Sequence, residues 1–208
     1  IVGGGFGGLT AALALGQRGI PVHVFEGAPE FGAIGYGIQF GPNIFHVFDR
    51  LGISAEVKSV GDEPTSLFML DALNGEQVIH VPTDDTFHTR FTHPYLIIHR
   101  TDLHNVLLDA CKKIDATTLE EDANMTSFKD NGDHVTIELG DGRSFSGKAM
   151  IGADGIGSTT RLQMIGDGDP LPNGYVAHRT IVPMETVTAD VPRDVVVLWG
   201  GPGFHIVH

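Results

Sequence analysis

Gly3, Gly5, Gly8 and Glu26 are the residues of this 208-residue chain whose types and spacing most directly suggest chemistry. The run Gly3-Gly4-Gly5-Phe6-Gly7-Gly8 satisfies G-x-G-x-x-G. In that pattern the first glycine makes a tight turn and the second lets backbone approach a pyrophosphate. The third lets a helix pack close to a strand. The phosphates then rest on amides at the helix N-terminus, where the dipole favours anions. Glu26 ends the next apolar run, Val22-His23-Val24-Phe25. A carboxylate there accepts hydrogen bonds from both adenosine ribose hydroxyls and repels a 2′-phosphate. A glycine-rich turn without a ligand is the plainer alternative, and it fits this complete context less well. The fingerprint alone does not separate FAD from NAD.

A second constellation lies far along the chain. Ile151-Gly152-Ala153-Asp154-Gly155, followed by Gly157-Ser158 and Arg161, sets an acid at the C-terminal end of an apolar strand. Ligands of open α/β sheets bind at such ends. Taken alone, Asp154-Gly155 also reads as a strand-to-helix turn with Ser158 as the helix cap. Beside the first motif it resembles the Asp-Gly fingerprint of the FAD-dependent aromatic monooxygenases, the single-component p-hydroxybenzoate hydroxylase-like family. The resemblance implies that Asp154 contacts the flavin ribose and influences NAD(P)H binding. His99-Arg100-Thr101-Asp102-Leu103, with Leu107 following, resembles that family's R-x-x-L-x-x-x-L helix, whose arginine lies against FAD. A guanidinium just before a helix suits phosphates or a ribityl chain. A surface arginine paired with an acid is the alternative for Arg100.

Glu30-Phe31-Gly32, Gly37-Ile38-Gln39-Phe40-Gly41-Pro42-Asn43, Gly174 to Arg179 and Gly201-Pro202-Gly203-Phe204-His205 look like the salicylate and 3-hydroxybenzoate hydroxylase branch of the family. The likeness spans nearly the whole chain. It implies FAD as a tightly bound cofactor and NADH as co-substrate. It also implies hydroxylation of a small aromatic acid by O2, with 3-hydroxybenzoate to gentisate favoured. On that basis Gln39 lies near the isoalloxazine ring and His205 faces the substrate. An imidazole, with an ordinary pKa of about 6.5, suits a base that takes the phenolic proton. The alternative makes His205 and His208 packed wall residues on one strand face. One departure stands out. The family's third fingerprint, Gly-Asp followed by Ala-Ala-His, does not occur, and Gly166-Asp167 and Gly140-Asp141 lack its context. A chain without it is expected to hold FAD less tightly.

Two rivals remain open. An NAD-dependent dehydrogenase explains Gly3 to Glu26 but leaves Asp154, Gly155 and Arg100 without a role. A non-catalytic, truncated FAD-binding fragment is the other. No metal site is expected: His23, His46, His80, His88 and His93 read as scattered, without Cys or acidic partners at ligand spacing.

The elements that must position these residues follow from periodicity. Leu9 to Arg18 reads as a helix stopped by Gly19, and Val22 to Phe25 as a buried strand. Phe31 to Gly41 reads as a loop, and Asn43 as the cap of a helix running to Leu51 and closed by Gly52. Thr65 to Leu70 and Gln77 to Val81 read as strands around Asn74-Gly75. Leu96 to Ile98 is a short strand, and Thr101 caps a helix with Leu103, Val106, Leu107 and Ala110 at helical spacing. His134 to Leu139 and Arg143 to Ser146 flank the hairpin turn Asp141-Gly142. Ala149 to Ile151, Tyr175 to Val182, Val195 to Trp199 and a segment from Phe204 complete the strands.

The order implies an α/β fold. Residues 1–60 and 97–168 form a Rossmann-like FAD-binding domain, a parallel sheet with a β-meander. Residues 61–96 and 169–208 form part of a mixed-sheet substrate domain. Net charge is −13, with 13 Lys+Arg, which disfavours a phosphate-tracking nucleic-acid surface. No apolar run approaches the ~20 residues of a membrane span. The single cysteine, Cys111, sits among Leu107, Leu108 and Ala110 as a buried structural thiol and suits a reducing cytoplasm. Only Ile1 and Val2 precede the first glycine, and the chain stops within the alternation Phe204, Ile206. It is therefore expected to be part of a longer protein, its oligomeric state open, a homodimer included.

Overall fold

The computed structural model describes residues 1–32, 35–187 and 192–208. It divides into two compact units, Ile1–Ile34 with Thr101–Ala177, and Gly35–Arg100 with His178–His208. Residues 35–60 and 97–100 thus cluster with the second unit and 169–177 with the first.

In the first unit the Ala/Leu-rich segment forms α1 (Phe6–Gly16), which buries Leu9, Ala12 and Leu13. The helix begins three residues earlier than its apolar pattern suggests, because the glycine run itself supplies the first turn. β1 (Val22–Phe25) runs parallel to β7 (Thr117–Glu120). Gly16 lets α1 lie close to β7: a Cβ there would stand 2.6 Å from Thr117 Oγ1. α5 (Arg100–Lys112) buries Leu103 and Leu107 as anticipated, together with His104, Leu108 and Cys111, while Val106 and Ala110 are half-buried. The Cys111 thiol donates to the Leu9 carbonyl. Burial pushes its pKa up to about 11, so it is a core thiol and not a nucleophile.

The meander is present as β8 (Met125–Asp130), β9 (Val135–Leu139) and β10 (Ser144–Gly147), all antiparallel. Its hairpin turns through Gly142 at φ 87°, the left-handed conformation such a turn requires. Val2, Phe25, Ala123, Met125, Ile137 and Leu139 form one buried cluster beneath it. Ala149 to Ile151 is not a strand. Pairing there reduces to two hydrogen bonds, from the Val2 amide to the Ile151 carbonyl (2.9 Å) and from the Ala153 amide to the Val2 carbonyl (2.7 Å). Val2 still bridges Phe25 on one side and Gly152 on the other, both in parallel.

The second unit carries a four-stranded mixed sheet ordered β12-β11-β4-β5. These are β4 (Ser66–Asp71), β5 (Gln77–Pro82), β11 (Val195–Gly201) and β12 (Phe204–Val207), with β11 parallel to β4. A smaller sheet joins β2 (Gly37–Phe40), β6 (Leu96–His99) and β3 (Gly61–Asp62). β2 corrects the expected loop at 31–41, of which residues 33–34 lie outside the described residues. Ile38 and Phe40 are half-buried and alternate with exposed Gly37 and Gln39, a period that the glycine-rich composition obscured.

Asn43 sits in a short 3-10 turn, Pro42–Ile44, ahead of α2 (Phe45–Leu51), and makes no capping bond. Gly52 closes α2 at φ 68° as anticipated. α3 (Ser54–Ser59) and α4 (Asp85–Phe91) were not legible as helices, being short and nearly without buried apolar residues. Tyr175 to Val182 is irregular, not a strand; Tyr175 and Val176 are 81% and 78% exposed, and the segment pairs with no described strand. Among the described residues no helix is long and apolar enough to cross a membrane.

Candidate cofactor cleft

The three fingerprint glycines occupy three different physical situations. Gly3 has φ 101°, and a Cβ there would overlap the Ala153 carbonyl oxygen. Gly8 lies directly beneath the turn, where a Cβ would overlap the Gly3 carbonyl oxygen. Gly5 is the opposite case. It caps α1 at an ordinary φ of −76° with no side-chain capping bond, and a Cβ would meet nothing within 4 Å. Conformation and packing demand glycine at 3 and 8; at 5 only an arriving ligand would. This open cradle at a helix N-terminus fits the pyrophosphate of a dinucleotide.

Glu26 is tied to the same turn. Its Oε2 accepts the Gly4 amide at 2.7 Å and its Oε1 the Ala28 amide at 2.9 Å. A carboxylate has about four acceptor positions, so positions remain for ribose hydroxyls. Asp154 is equally well held: the Ser158 hydroxyl donates to Oδ1 at 2.6 Å and the Thr160 amide to Oδ2 at 2.9 Å. Burial by itself would raise its pKa. Hydrogen bonds from Ser158 and Thr160 outweigh burial, and the carboxyl lies below the ordinary aspartate value. Ser158 caps α6 (Thr159–Ile165) by accepting the Arg161 amide. The cap and the cleft are therefore compatible roles of one loop. Gly155 turns that loop at φ 76°.

Gly3, Gly5, Glu26, Asp154 and Gly155 line one cleft of about 370 Å³, together with Asn124. Every lining residue belongs to the first unit. Gly8 supports the cleft from below. Two carboxylates facing a nucleotide suit hydroxyls and disfavour an extra phosphate, which leaves the α1 end as the place for the pyrophosphate.

Three contributors escaped the sequence. Gly4 packs under the half-buried Phe31 ring, which a Cβ at position 4 would displace. Asn124 is exposed between buried Ala123 and Met125, an alternation that could have marked it. His104, 1% exposed on α5, lies with Nε2 2.8 Å from the Gly4 carbonyl oxygen. A carbonyl only accepts, so Nε2 carries the proton. In a trans peptide the C=O and the following N–H point in opposite directions. Drawing the Gly4 carbonyl toward His104 therefore turns the Gly5 amide the other way. No motif announces His104; its helical register with Leu103 and Leu107 was the available signal.

The remaining site residues lie in the second unit. Arg100 opens α5, its amide donates to the Tyr36 carbonyl at 3.1 Å, and its stem packs against Gly35. Gln39 is exposed on β2 and accepts the Tyr95 hydroxyl at 2.6 Å. His205 is exposed on β12, opposite Gly200. His208 does not share its face: it stacks on Trp199 at 6.4 Å, whose cross-strand partner is Ile206. The histidines are also less scattered than their spacing suggests, since His46, Asp49 and His93 converge.

Residues 1–171 match the family model described as an FAD binding domain. 3-Hydroxybenzoate 6-hydroxylase 1 of Aquipseudomonas alcaligenes is 36% identical over all of this chain, which covers 53% of it. 3-Hydroxybenzoate 6-hydroxylase of Polaromonas naphthalenivorans is 38% identical, again over the whole chain and 52% of its own length. The chain thus spans about half the length of these relatives. The solved structure of Klebsiella pneumoniae HpxO, complexed with FAD and uric acid, superposes with a TM-score of 0.77 at 24% identity. It covers 100% of this chain and 51% of that one, a likeness of fold. Family match, fold and the open glycine cradle agree: this chain belongs to the FAD binding domain family.

Proposed function

We propose that the full-length protein is an FAD-dependent monooxygenase that hydroxylates a small aromatic acid with NADH and O2, 3-hydroxybenzoate to gentisate being the favoured reaction. The observation that carries this reading is the cradle at Gly5, in a chain whose whole length aligns with 3-hydroxybenzoate 6-hydroxylases. Bound FAD supplies the redox chemistry with NADH and O2. The chain's own residues bind and orient. Gly5 and the α1 amides take the pyrophosphate, while Glu26 and Asp154 take hydroxyls. His104 sets the Gly4–Gly5 peptide, and Arg100 offers a guanidinium to phosphate or ribityl oxygens.

Substrate chemistry is assigned to the second unit. His205 accepts the phenolic proton and Gln39 orients the ring. Gly200 stands opposite His205, with the Met69 methyl packed where a Cβ at position 200 would lie. A buried single thiol suits a reducing cytoplasm.

Purified full-length protein is expected to be yellow and to consume NADH faster when 3-hydroxybenzoate is added, releasing gentisate. A colourless protein that oxidises an alcohol with NAD+, or reduces the corresponding carbonyl with NADH, would return the reading to a dehydrogenase. A yellow protein without any substrate-stimulated NADH consumption would make it a non-catalytic FAD binder.

A further inference from the structure

We propose that His46, Asp49 and His93 form a binding site for a divalent ion of the zinc class, separate from the cofactor cleft. One turn of α2 sets His46 and Asp49 on the same helical face, three residues apart. Thr92, in the left-handed conformation at φ 67°, ends α4 and delivers His93 to that face. One ligating atom from each of the three lies within 4.8 Å of the others. The His93 Nε2 to Asp49 Oδ2 distance is 3.1 Å. Two donors each about 2 Å from a tetrahedral zinc lie about 3.3 Å apart. The pair is therefore already at ligand spacing, and exposed His46 supplies the third corner of the triangle.

The surroundings are those of ligands rather than of loose surface groups. His93 is 7% exposed and stacks on Phe45 with ring centroids 5.5 Å apart, which fixes its plane. The His46 ring meets it edge-on, with centroids 5.0 Å apart. Ser54 donates to Asp49 Oδ1 at 2.5 Å, the outer hydrogen bond that orients a ligating carboxylate while leaving Oδ2 for the ion. Lys58, whose ammonium rests over the Phe45 ring, is a nearby cation that opposes a second positive charge at Asp49. Two imidazoles and one carboxylate form a borderline set that selects zinc, cobalt or nickel over magnesium or calcium, with water as the fourth ligand. Such an ion would clip α2 to the segment after α4 within one unit.

The test uses full-length protein stripped with a chelator, and zinc or cobalt chloride as the probe. One zinc per chain is expected, with Kd of about 1 µM or tighter, competed against a chromophoric chelator. His46→Ala, at an exposed position, should weaken it at least tenfold. Ser54→Ala should weaken it severalfold without removing a ligand, and His80→Ala should leave it unchanged. Cobalt should give the visible bands of a tetrahedral site. Zinc raises the melting temperature of the wild type but not of His46→Ala. Zinc bound no tighter than about 100 µM, or wild-type affinity in His46→Ala, overturns the proposal. None of these readouts depends on flavin or turnover.

Discussion

The two units of this chain encode their candidate sites in different materials. In the first, the cleft is made of backbone: Gly3 and Gly8 are fixed by overlap, Gly5 is open, and both carboxylates are clamped by amides or a hydroxyl. In the second, Gln39 and His205 stand exposed on strands, and the side chain alone carries the chemistry. A backbone site is over-determined, because the same residues that bind also fold. A side chain on an exposed strand can be replaced without the sheet noticing. The contrast makes separate demands on substitution in each unit.

Gly8→Ala is the most severe way to sharpen it. The added methyl overlaps the Gly3 carbonyl oxygen, which is backbone and cannot rotate away. The cost is expected to reach or exceed the ~3 kcal/mol upper range of ordinary overpacking. Circular-dichroism melting should show a first unit that no longer folds cooperatively. His205→Asn in the full-length protein should do the reverse. Folding and flavin content stay as they were, while kcat for 3-hydroxybenzoate falls about 10²-fold or more, the loss of a general base. An unchanged kcat would return His205 to the pocket wall.

Gly5→Ala tests the contrast inside a single motif. Its methyl meets nothing, so the stability of the apoprotein should change by no more than about 0.5 kcal/mol. FAD affinity, measured by fluorescence titration, should nevertheless drop more than tenfold. Equal affinity in this variant would break the cradle assignment. A smaller effect is expected from His104→Leu. It leaves the Gly4 carbonyl without its donor at a cost of about 1–3 kcal/mol, shared between apoprotein stability and FAD binding. His104→Gln, which keeps an N–H at similar reach, should recover most of the FAD affinity. A variant pair with indistinguishable affinities would reduce His104 to packing.

The same division explains what could be read from the amino acids. The glycine turn, α1, β1, Glu26 and the Asp141-Gly142 hairpin are local, each specified within a few residues by period or by turn chemistry. β2 was hidden because its glycines suggested a loop, and its pairing to β6 is a long-range fact. Tyr175 to Val182 has the composition of a strand but no described partner, and composition cannot supply one. His104 and Asn124 became visible only once α5 and the chain entering β8 were placed against the turn. His46 and Asp49 show their helical spacing in the sequence, whereas His93 reaches them through a left-handed Thr92 that no pattern announces.

Asp154 offers the mildest break, because it belongs to a cleft and to a helix cap together. Burial would raise its pKa, but the Ser158 and Thr160 hydrogen bonds prevail and hold it below the ordinary value. In the unfolded chain the carboxyl titrates near about 3.9. A folded value lower than the unfolded one means that the native state resists protonation. The group therefore adds stability that is full above the unfolded value and is lost as pH falls through the folded one. Asp49 and Asp141 shift in the same direction, so a wild-type melt alone does not isolate Asp154. Asp154→Asn does. It should lower apoprotein stability at pH 7 by about 1 kcal/mol, a typical capping loss. It should also flatten the decline in melting temperature between pH 5 and pH 3, two values set by about one unit either side of the unfolded pKa. Curves that stay parallel over that interval would mean that the Asp154 charge does not hold the cap. Convergence toward low pH would show that the first unit's acid is spent on its backbone, leaving only spare lone pairs for a ribose.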